Sequence, residues 1–386
     1  MLFKNTMEGG MKIMVEFITM APTGGDGEYV GAGSSFNKED KNVQLIRGES
    51  GERQPTFEYI RDVAQAAEKA GFSTLLLPTG QGCLDSLAVA SNLVTQTTDL
   101  NFLFAVRPGS MSPSSFAKQF ATVDYWSNGR ARVNVVTGGS PVELASQGDF
   151  LDHRTRYQRT REYIQILKKY FSGEKFTHEG KFFTLKDTSL YPELNAVPNI
   201  YFGGASDVGK DVAAAEADVY MLWGETLEKT KEQIEDMKKR SAAYNRELSY
   251  SVSFQVILGE TEAKAYENAH KLLSKTEEAV LEQKKEVSKK GEAVGVKRLY
   301  SLMEESKDNN FIIGPNIWAG LAQVLPGNSI ALVGTPEQVT DRIVEFVELG
   351  FDKVLLRGFP HLETIEAIGE LIIPKVREKL ARGQVV

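Results

Sequence analysis

Cysteine and histidine are scarce in this chain, and their scarcity excludes several classes of site. Cys83 is the only cysteine among 386 residues, so the chain has neither an intramolecular disulfide framework nor a zinc site built from several thiolates. The four histidines show no H-x-H or H-E-x-x-H spacing. The sequence therefore predicts no metal site.

Long apolar runs and an excess of positive charge are also lacking. No stretch approaches the roughly 18 consecutive apolar residues of a membrane span, and Met1 to Gly10 is too polar for the apolar region of a secretory signal. The net charge is −7, from 45 basic and 52 acidic residues, which argues against a nucleic-acid partner. We therefore expect a soluble, cytoplasmic protein without a membrane or nucleic-acid partner.

Three common catalytic and nucleotide-binding motifs are missing. The sequence has no G-x-S-x-G nucleophile elbow, no P-loop, and no G-x-G-x-x-G between a strand and a helix. A dedicated dinucleotide-binding fold is therefore not expected. Cys83 follows Gly80-Gln81-Gly82, and we interpret it as a small residue that lines a pocket rather than as an activated thiol.

What the sequence does have is a regular alternation of short apolar runs and amphipathic segments. The apolar runs predict strands at residues 13–20, 73–78, 100–106, 131–136, 199–202, 219–222, 250–258 and 353–356. Helical spacing follows nearly every run, including one long helix at 362–380. Eight such units favour an α/β fold of the closed (β/α)₈ type, a TIM barrel with insertions, over an open sheet.

Two segments interrupt the alternation. A hairpin is predicted at about 173–190, and a charged helical lid with a flexible loop at about 275–328. Residues 27–54 are rich in glycine and polar residues and are interpreted as a long loop. We expect one barrel domain over residues 11–386, preceded by an N-terminal extension over residues 1–10.

Chemistry in a barrel of this kind is expected where the strands end. The clearest such place is the turn at Gly204, Ala205 and Ser206, after the fifth strand. Glycine lets the backbone approach a ligand closely, and the free amides at the start of the next helix can bind phosphate. An ordinary tight turn between a strand and a helix would have the same sequence.

Several blocks of the sequence resemble one known family. They are PTGGDG at 22–27, PTG at 78–80, VRP at 106–108, SNGR at 127–130, NVVTG at 134–138, WGE at 223–225, PNIWAG at 315–320 and PHLE at 360–363. In order and content these blocks resemble the bacterial luciferase-like flavin monooxygenases, most of all their alkanesulfonate monooxygenase branch.

The resemblance implies a chemistry and its partners. Enzymes of this family use reduced FMN (FMNH₂) and O₂ to oxygenate a small molecule through a flavin C4a-(hydro)peroxide. A separate NAD(P)H:FMN reductase supplies the reduced flavin, which agrees with the missing dinucleotide motif. The resemblance also implies a homo-oligomer, either a dimer or a tetramer.

The resemblance further assigns residues to two halves of the site. The residues that match cofactor-binding positions are Thr79, Asn134, Thr137, His153, Tyr157, Gly204, Ala205 and Ser206. Those that match positions lining the substrate pocket are Cys83, Arg107, Trp223, Ser253 and Phe359.

The departures from the alkanesulfonate branch lie in the substrate half. That branch has Arg and His on the seventh strand, where this chain has Ser253 and Gln255, and a catalytic Tyr in place of Phe359. It also has a His in place of Gly24 and a lid Arg in place of Leu325. Because a sulfonate requires charge-assisted donors, most of the sulfonate site is lost.

One cation has been gained at the eighth strand. Arg357 stands where the relatives have a small residue, and we expect it to anchor an anionic group. Arg357, Gln255 and His361 are therefore the predicted catalytic residues. The predicted substrate is a small organic molecule, with organosulfur compounds among the candidates. Two alternatives stay open: a deazaflavin (F420)-dependent hydride-transfer oxidoreductase, and a non-catalytic flavin-binding protein of the same fold.

Overall fold

Eight short parallel strands form the centre of the molecule. The computed structural model describes residues 15–25, 54–273, 285, 292–325 and 327–382. The predicted extension at 1–10, nearly all of the predicted loop at 27–54, and most of the charged start of the predicted lid lie outside the described residues.

The eight strands of the barrel agree in position with the apolar runs of the sequence, and five further strands of the described residues lie outside those runs. They are β1 (Glu16–Met20), β2 (Thr74–Leu77), β3 (Asn101–Val106), β4 (Ala131–Val135), β5 (Phe176–Glu179), β6 (Thr184–Thr188), β7 (Ile200–Phe202), β8 (Val219–Trp223), β9 (Ser249–Leu258), β10 (Ile312–Gly314), β11 (Ile317–Trp318), β12 (Ala331–Gly334) and β13 (Lys353–Arg357). The parallel order β9-β13-β1-β2-β3-β4-β7-β8 closes on itself through pairing of β8 with β9. The predicted closed barrel is confirmed.

Alternation along the strands explains why each run is apolar on both faces. One set of side chains fills the barrel interior, as Ile18, Leu103 and Leu355 do. The other set packs outward against the helices, as Phe254 does against Phe346. Strands buried on both faces need continuous apolar runs, which is the pattern that the sequence shows.

The described helices surround the barrel, and most begin at a capping side chain. They are α1 (Phe57–Ala70), α2 (Ser86–Leu93), α3 (Pro113–Trp126), α4 (Pro141–Ser146), α5 (His153–Phe171), α6 (Asp207–Glu216), α7 (Leu227–Ala242), α8 (Glu262–Leu273), α9 (Val294–Glu305), α10 (Pro336–Glu348), α11 (His361–Leu371) and α12 (Ile373–Arg382). Side-chain oxygens of Asp85, Ser112, Asp152 and Ser206 each accept a hydrogen bond from the first-turn backbone. None of the described helices is both long and apolar enough to cross a membrane.

The predicted single helix at 362–380 is wrong. The structure has two helices there, α11 and α12, which meet at Ile372. Pro374 is the reason, because it has no amide hydrogen and its ring clashes with the carbonyl four residues earlier. Pro374 is instead accommodated in the first turn of α12.

The two interruptions have different structures. Between α5 and β7, β5 and β6 pair as an antiparallel hairpin. Between α8 and α10, the described residues form α9, the antiparallel pair β10–β11 and the strand β12. The sequence pattern did not predict β12, which pairs in parallel with the end of β9 that extends beyond β13.

Candidate active site

Four predicted residues meet on one wall of the barrel mouth, at the carboxyl ends of β8, β9 and β13. Strand register places Arg357 directly beside Gln255, and Trp223 directly beside Ser253. All four belong to the set of alternating positions that faces the barrel interior, together with Leu355. Arg357, Gln255 and Ser253 are buried, and Trp223 is half-buried.

Arg357 is a buried cation at the carboxyl end of β13. Its Nη1 lies 3.0 Å from the Met20 Sδ, and its Cζ lies 5.2 Å from the centre of the Phe359 ring. The Phe359 ring in turn contacts the imidazole of His361, with ring centres 4.9 Å apart. The three predicted residues Arg357, Phe359 and His361 therefore form one cluster at the end of β13.

Gln255 has an unused acceptor in this mouth. The side chain is fully buried, and its Nε2 donates to the Asn328 carbonyl at 2.8 Å. Its Oε1 has no hydrogen-bond partner among the described residues. An amide oxygen that is buried without a partner is costly, so a donor on a bound molecule would be favoured at this position.

The Cys83 thiol lies close enough to Arg107 and Arg357 for both charges to act on it. Burial raises the pKa of its thiol above the usual value, and contact with Thr23 and the charges of Arg107 and Arg357 only partly offset this. The negative charge of Glu143 raises the thiol pKa further. Cys83 is therefore a neutral thiol at physiological pH, which agrees with a lining residue rather than a nucleophile.

Arg107 is held by the neighbouring helix. Its two terminal nitrogens donate to Gln147 Oε1 and Glu143 Oε1, each at 3.0 Å, and Glu143 also accepts from the Gln81 amide at 2.7 Å. These bonds tie the end of β3 to the segment after β2 and to α4. Arg107 therefore has a structural role that the sequence did not indicate, and its predicted contact with substrate stays a prediction.

The turn after β7 forms a cradle around the hydroxyl of Tyr157. A Cβ added to Gly204 would lie 3.2 Å from that oxygen, and one added to Gly209 would lie 2.9 Å from it. Ser206 begins α6, and its Oγ accepts from the Gly209 amide at 3.2 Å. Burial raises the pKa of Tyr157, although its hydrogen bond with Ser206 opposes the shift. The hydroxyl is therefore protonated and can donate.

Most of the other predicted cofactor residues lie beside this turn. The His153 ring centre is 4.9 Å from that of Tyr157, and Thr137 Oγ1 is 3.0 Å from Thr160 Oγ1 on the same helix. Asn134 faces the barrel interior at the end of β4, in register with Tyr201. Thr79 is half-buried after β2, on the far side of β3.

A buried ion pair near the turn includes one residue, Arg298, that the sequence did not indicate. Glu225, just after β8, is fully buried and forms an ion pair with Arg298 of α9. Its Oε1 also accepts from Gln233 Nε2 at 3.2 Å. Burial raises the pKa of Glu225, and Arg298 and Gln233 oppose that rise. The block WGE at 223–225 was a sequence signal for Glu225, but no local pattern connects it with Arg298.

The helix α9 covers the mouth above Trp223. A Cβ on Gly295 would lie 2.8 Å from the indole Cζ3, and one on Gly327 would lie 2.6 Å from Cζ2. The indole is therefore held between two glycines of the segment that connects α8 and α10. An ion pair between Arg156 of α5 and Glu292 fixes the start of this helix.

Other features do not add to the site. A cleft of about 630 Å³ lies outside the mouth, between the segment after β3, the start of α5 and the β5–β6 hairpin, and no predicted site residue lines it. No group of three or more His, Cys, Asp or Glu side chains within the described part of the chain could hold a metal ion.

Comparisons with known proteins agree with this fold. The model of the luciferase-like monooxygenase family matches residues 28–353. A long-chain alkane monooxygenase superposes with a TM-score of 0.73 at 22% identity, over 96% of this chain and 92% of that one. A riboflavin lyase solved with modified FMN and riboflavin superposes with a TM-score of 0.72 at 20% identity, over 95% and 92%.

A deazaflavin enzyme also has this fold. An F420-dependent secondary alcohol dehydrogenase superposes with a TM-score of 0.64 at 16% identity, over 94% of this chain and 99% of that one. At these identities each structural similarity establishes a common fold and no more.

Proposed function

This chain belongs to the luciferase-like monooxygenase family, and from that premise we propose that it oxygenates a small organic molecule with O₂ and reduced FMN. We further propose that a separate NAD(P)H:FMN reductase supplies the reduced flavin. The substrate need not be a sulfonate, because the residues that would bind one are replaced by Ser253, Gln255 and Phe359.

The observation that carries the proposal is the cradle at Gly204, Gly209 and Tyr157. Both glycines are in positions where a Cβ would press on the Tyr157 hydroxyl, so the absence of a side chain lets this hydroxyl lie against the turn at the start of α6. The cradle opens at the first turn of α6, where amides lack intrahelical partners and the helix dipole favours an anion. These residues fit the terminal phosphate of a flavin mononucleotide.

The predicted cofactor residues would contact two parts of FMN, its phosphate and its flavin ring. Tyr157 and Ser206 would hold the phosphate, and Asn134, Thr137 and His153 would line the flavin. Bound reduced FMN would supply the electrons with which O₂ is activated. The chain itself would exclude water, by means of the buried wall around Trp223 and the overlying helix α9.

The substrate would lie between this region and the wall formed by β9 and β13. Arg357 would orient an anionic group of the substrate, and the Gln255 Oε1 would accept a hydrogen bond from it. Phe359 cannot donate a proton, so the reaction would use another acid, a bound water, or no acid at all.

The experiment is a turnover assay with FMNH₂, O₂ and a panel of small sulfonates, sulfones, sulfides and amines. An oxygenated product is expected from wild type, and Arg357→Ala should abolish it while leaving FMN affinity intact. The matched control is Arg377→Ala, because Arg377 donates to the Gly71 carbonyl, which precedes β2 at the opposite end of the barrel. Unchanged turnover in Arg357→Ala would remove Arg357 as the anchor.

The similarity to the F420-dependent alcohol dehydrogenase supports a second candidate, hydride transfer with a deazaflavin. Anaerobic titration with reduced FMN and with reduced F420 separates the two candidates by affinity. Oxygen consumption that depends on substrate would favour the monooxygenase.

We also propose a dimer or tetramer in solution, as the family resemblance implies. Sedimentation equilibrium measures the assembly mass directly, and a monomer at micromolar concentration would contradict this proposal.

A further inference from the structure

We propose that Arg298 of α9 is an additional ligand of the flavin phosphate and that Glu225 competes with the phosphate for it. The inference rests on the proposed function, because it concerns the same cofactor. It assigns a binding role to a side chain that lies outside the barrel strands and their turns.

The first argument is the way in which α9 lies on the turn after β7. A Cβ on Gly295 would be 3.5 Å from the Ala205 Cβ, so the first turn of α9 touches the middle of the phosphate cradle. Arg298 is three residues further on and thus on the same face of the helix. It enters from above the cradle and reaches Glu225 at the end of β8.

The second argument is that Arg298 is only partly buried. Its Nε forms an ion pair with the fully buried Glu225 carboxylate, whereas 27% of the Arg298 side-chain surface stays exposed. A guanidinium is a planar fork that can hold one anion through Nε and a second through Nη. A phosphate at the turn would provide that second anion.

The third argument is electrostatic. The hydroxyl of Tyr220 donates to the Gly204 carbonyl at 2.8 Å, so it marks the base of the cradle. Burial raises the pKa of this hydroxyl, and the charge of Arg298 acts in the opposite direction. The guanidinium is therefore close enough to act on the cradle. Without Arg298, the buried carboxylate of Glu225 would repel a phosphate bound there.

Variants at the two residues of the ion pair should change the affinity for FMN in opposite directions. Arg298→Ala should raise the dissociation constant for FMN about tenfold or more, since a hydrogen bond between charged groups is lost. Riboflavin lacks the phosphate, so its affinity should change less than about twofold. Glu225→Gln keeps the shape of the side chain but removes the competing charge, so it should tighten FMN binding severalfold.

The measurement is fluorescence titration of each variant with FMN and with riboflavin, after melting curves have shown that the variant is folded. Lys297→Ala is the matched control, because Lys297 is an exposed neighbour on α9. Arg298→Lys keeps the charge and should retain part of the preference for FMN.

The outcomes distinguish this inference from its premise. If Arg298→Ala and Glu225→Gln weaken FMN and riboflavin alike, the ion pair only holds α9 in place and the inference is overturned. If wild type prefers FMN but neither variant changes that preference, the inference fails while the proposed function stands. If wild type binds riboflavin as tightly as FMN, the phosphate cradle itself is refuted, and the inference fails with it.

Discussion

Replacing Ser206 by alanine tests the phosphate cradle most directly, because Ser206 has two separable roles. Its Oγ caps α6 by accepting from the Gly209 amide at 3.2 Å, and loss of such a cap costs about 1 kcal/mol of folding stability. The same hydroxyl would donate to the bound phosphate. Loss of a hydrogen bond to a charged group costs about 1.5–3 kcal/mol, which corresponds to a roughly tenfold to hundredfold weaker FMN complex.

A second serine separates the two roles. Ser112 caps α3 by accepting from the Ser115 amide, also at 3.2 Å, but it lines the cleft of about 630 Å³, which no predicted site residue lines. Ser112→Ala should therefore lose a similar amount of stability without any change in FMN affinity. Urea unfolding measures the first quantity, and titration with FMN and riboflavin measures the second. An FMN-to-riboflavin preference that is equal in Ser206→Ala and wild type would refute the assignment of the cradle.

Two further predictions concern other parts of the site. Gly209→Ala adds a good helix former to α6, which would ordinarily stabilise by about 1 kcal/mol, but its Cβ would lie 2.9 Å from the Tyr157 hydroxyl. We expect no gain in melting temperature and weaker FMN binding; a more stable variant with normal affinity would contradict the close packing. Because burial raises the pKa of the Cys83 thiol above its usual value of 9.0, iodoacetamide should label it slowly at pH 8 and faster only above about pH 9. Since the folded state favours the protonated thiol, Cys83 should also reduce stability as pH rises above 9, and wild type should lose more stability than Cys83→Ser over that range. Intact-mass spectrometry reports the labelling without ambiguity, since the chain has one cysteine.

The barrel could be predicted from the sequence because each of its units is locally consistent. Strands buried on both faces must be continuously apolar, and caps such as Asp152 and Ser206 mark where the helices begin. The strand β12 escaped prediction although residues 330–333 are apolar, since the run lies directly after the segment interpreted as a lid and the eight predicted strands already completed a barrel. Its pairing with the end of β9 was not predictable either. Periodicity reports local burial and carries no information about which distant strand is paired.

The candidate site was predictable to a lesser extent. Turn chemistry pointed to Gly204 and Ser206, since a glycine before a capping serine is visible in the sequence. The pairing of Arg107 with Glu143 and of Arg298 with Glu225 was not visible, since each pair joins separate elements. The sequence does not show with which residue a charged side chain forms an ion pair. That partner is known only when the fold is known.

Four of the residues at which the sequence departs from the alkanesulfonate branch lie on or just after the neighbouring strands β9 and β13. Ser253 and Gln255 lie on β9, and Arg357 lies on β13 directly in register with Gln255. Phe359 follows two residues later and contacts the Arg357 guanidinium. The residues expected to hold the flavin lie elsewhere, on β4 and α5 and at the turn before α6. Different residues on β9 and β13 would alter what binds there without disturbing that turn, which is why we propose a changed substrate together with an FMN cofactor.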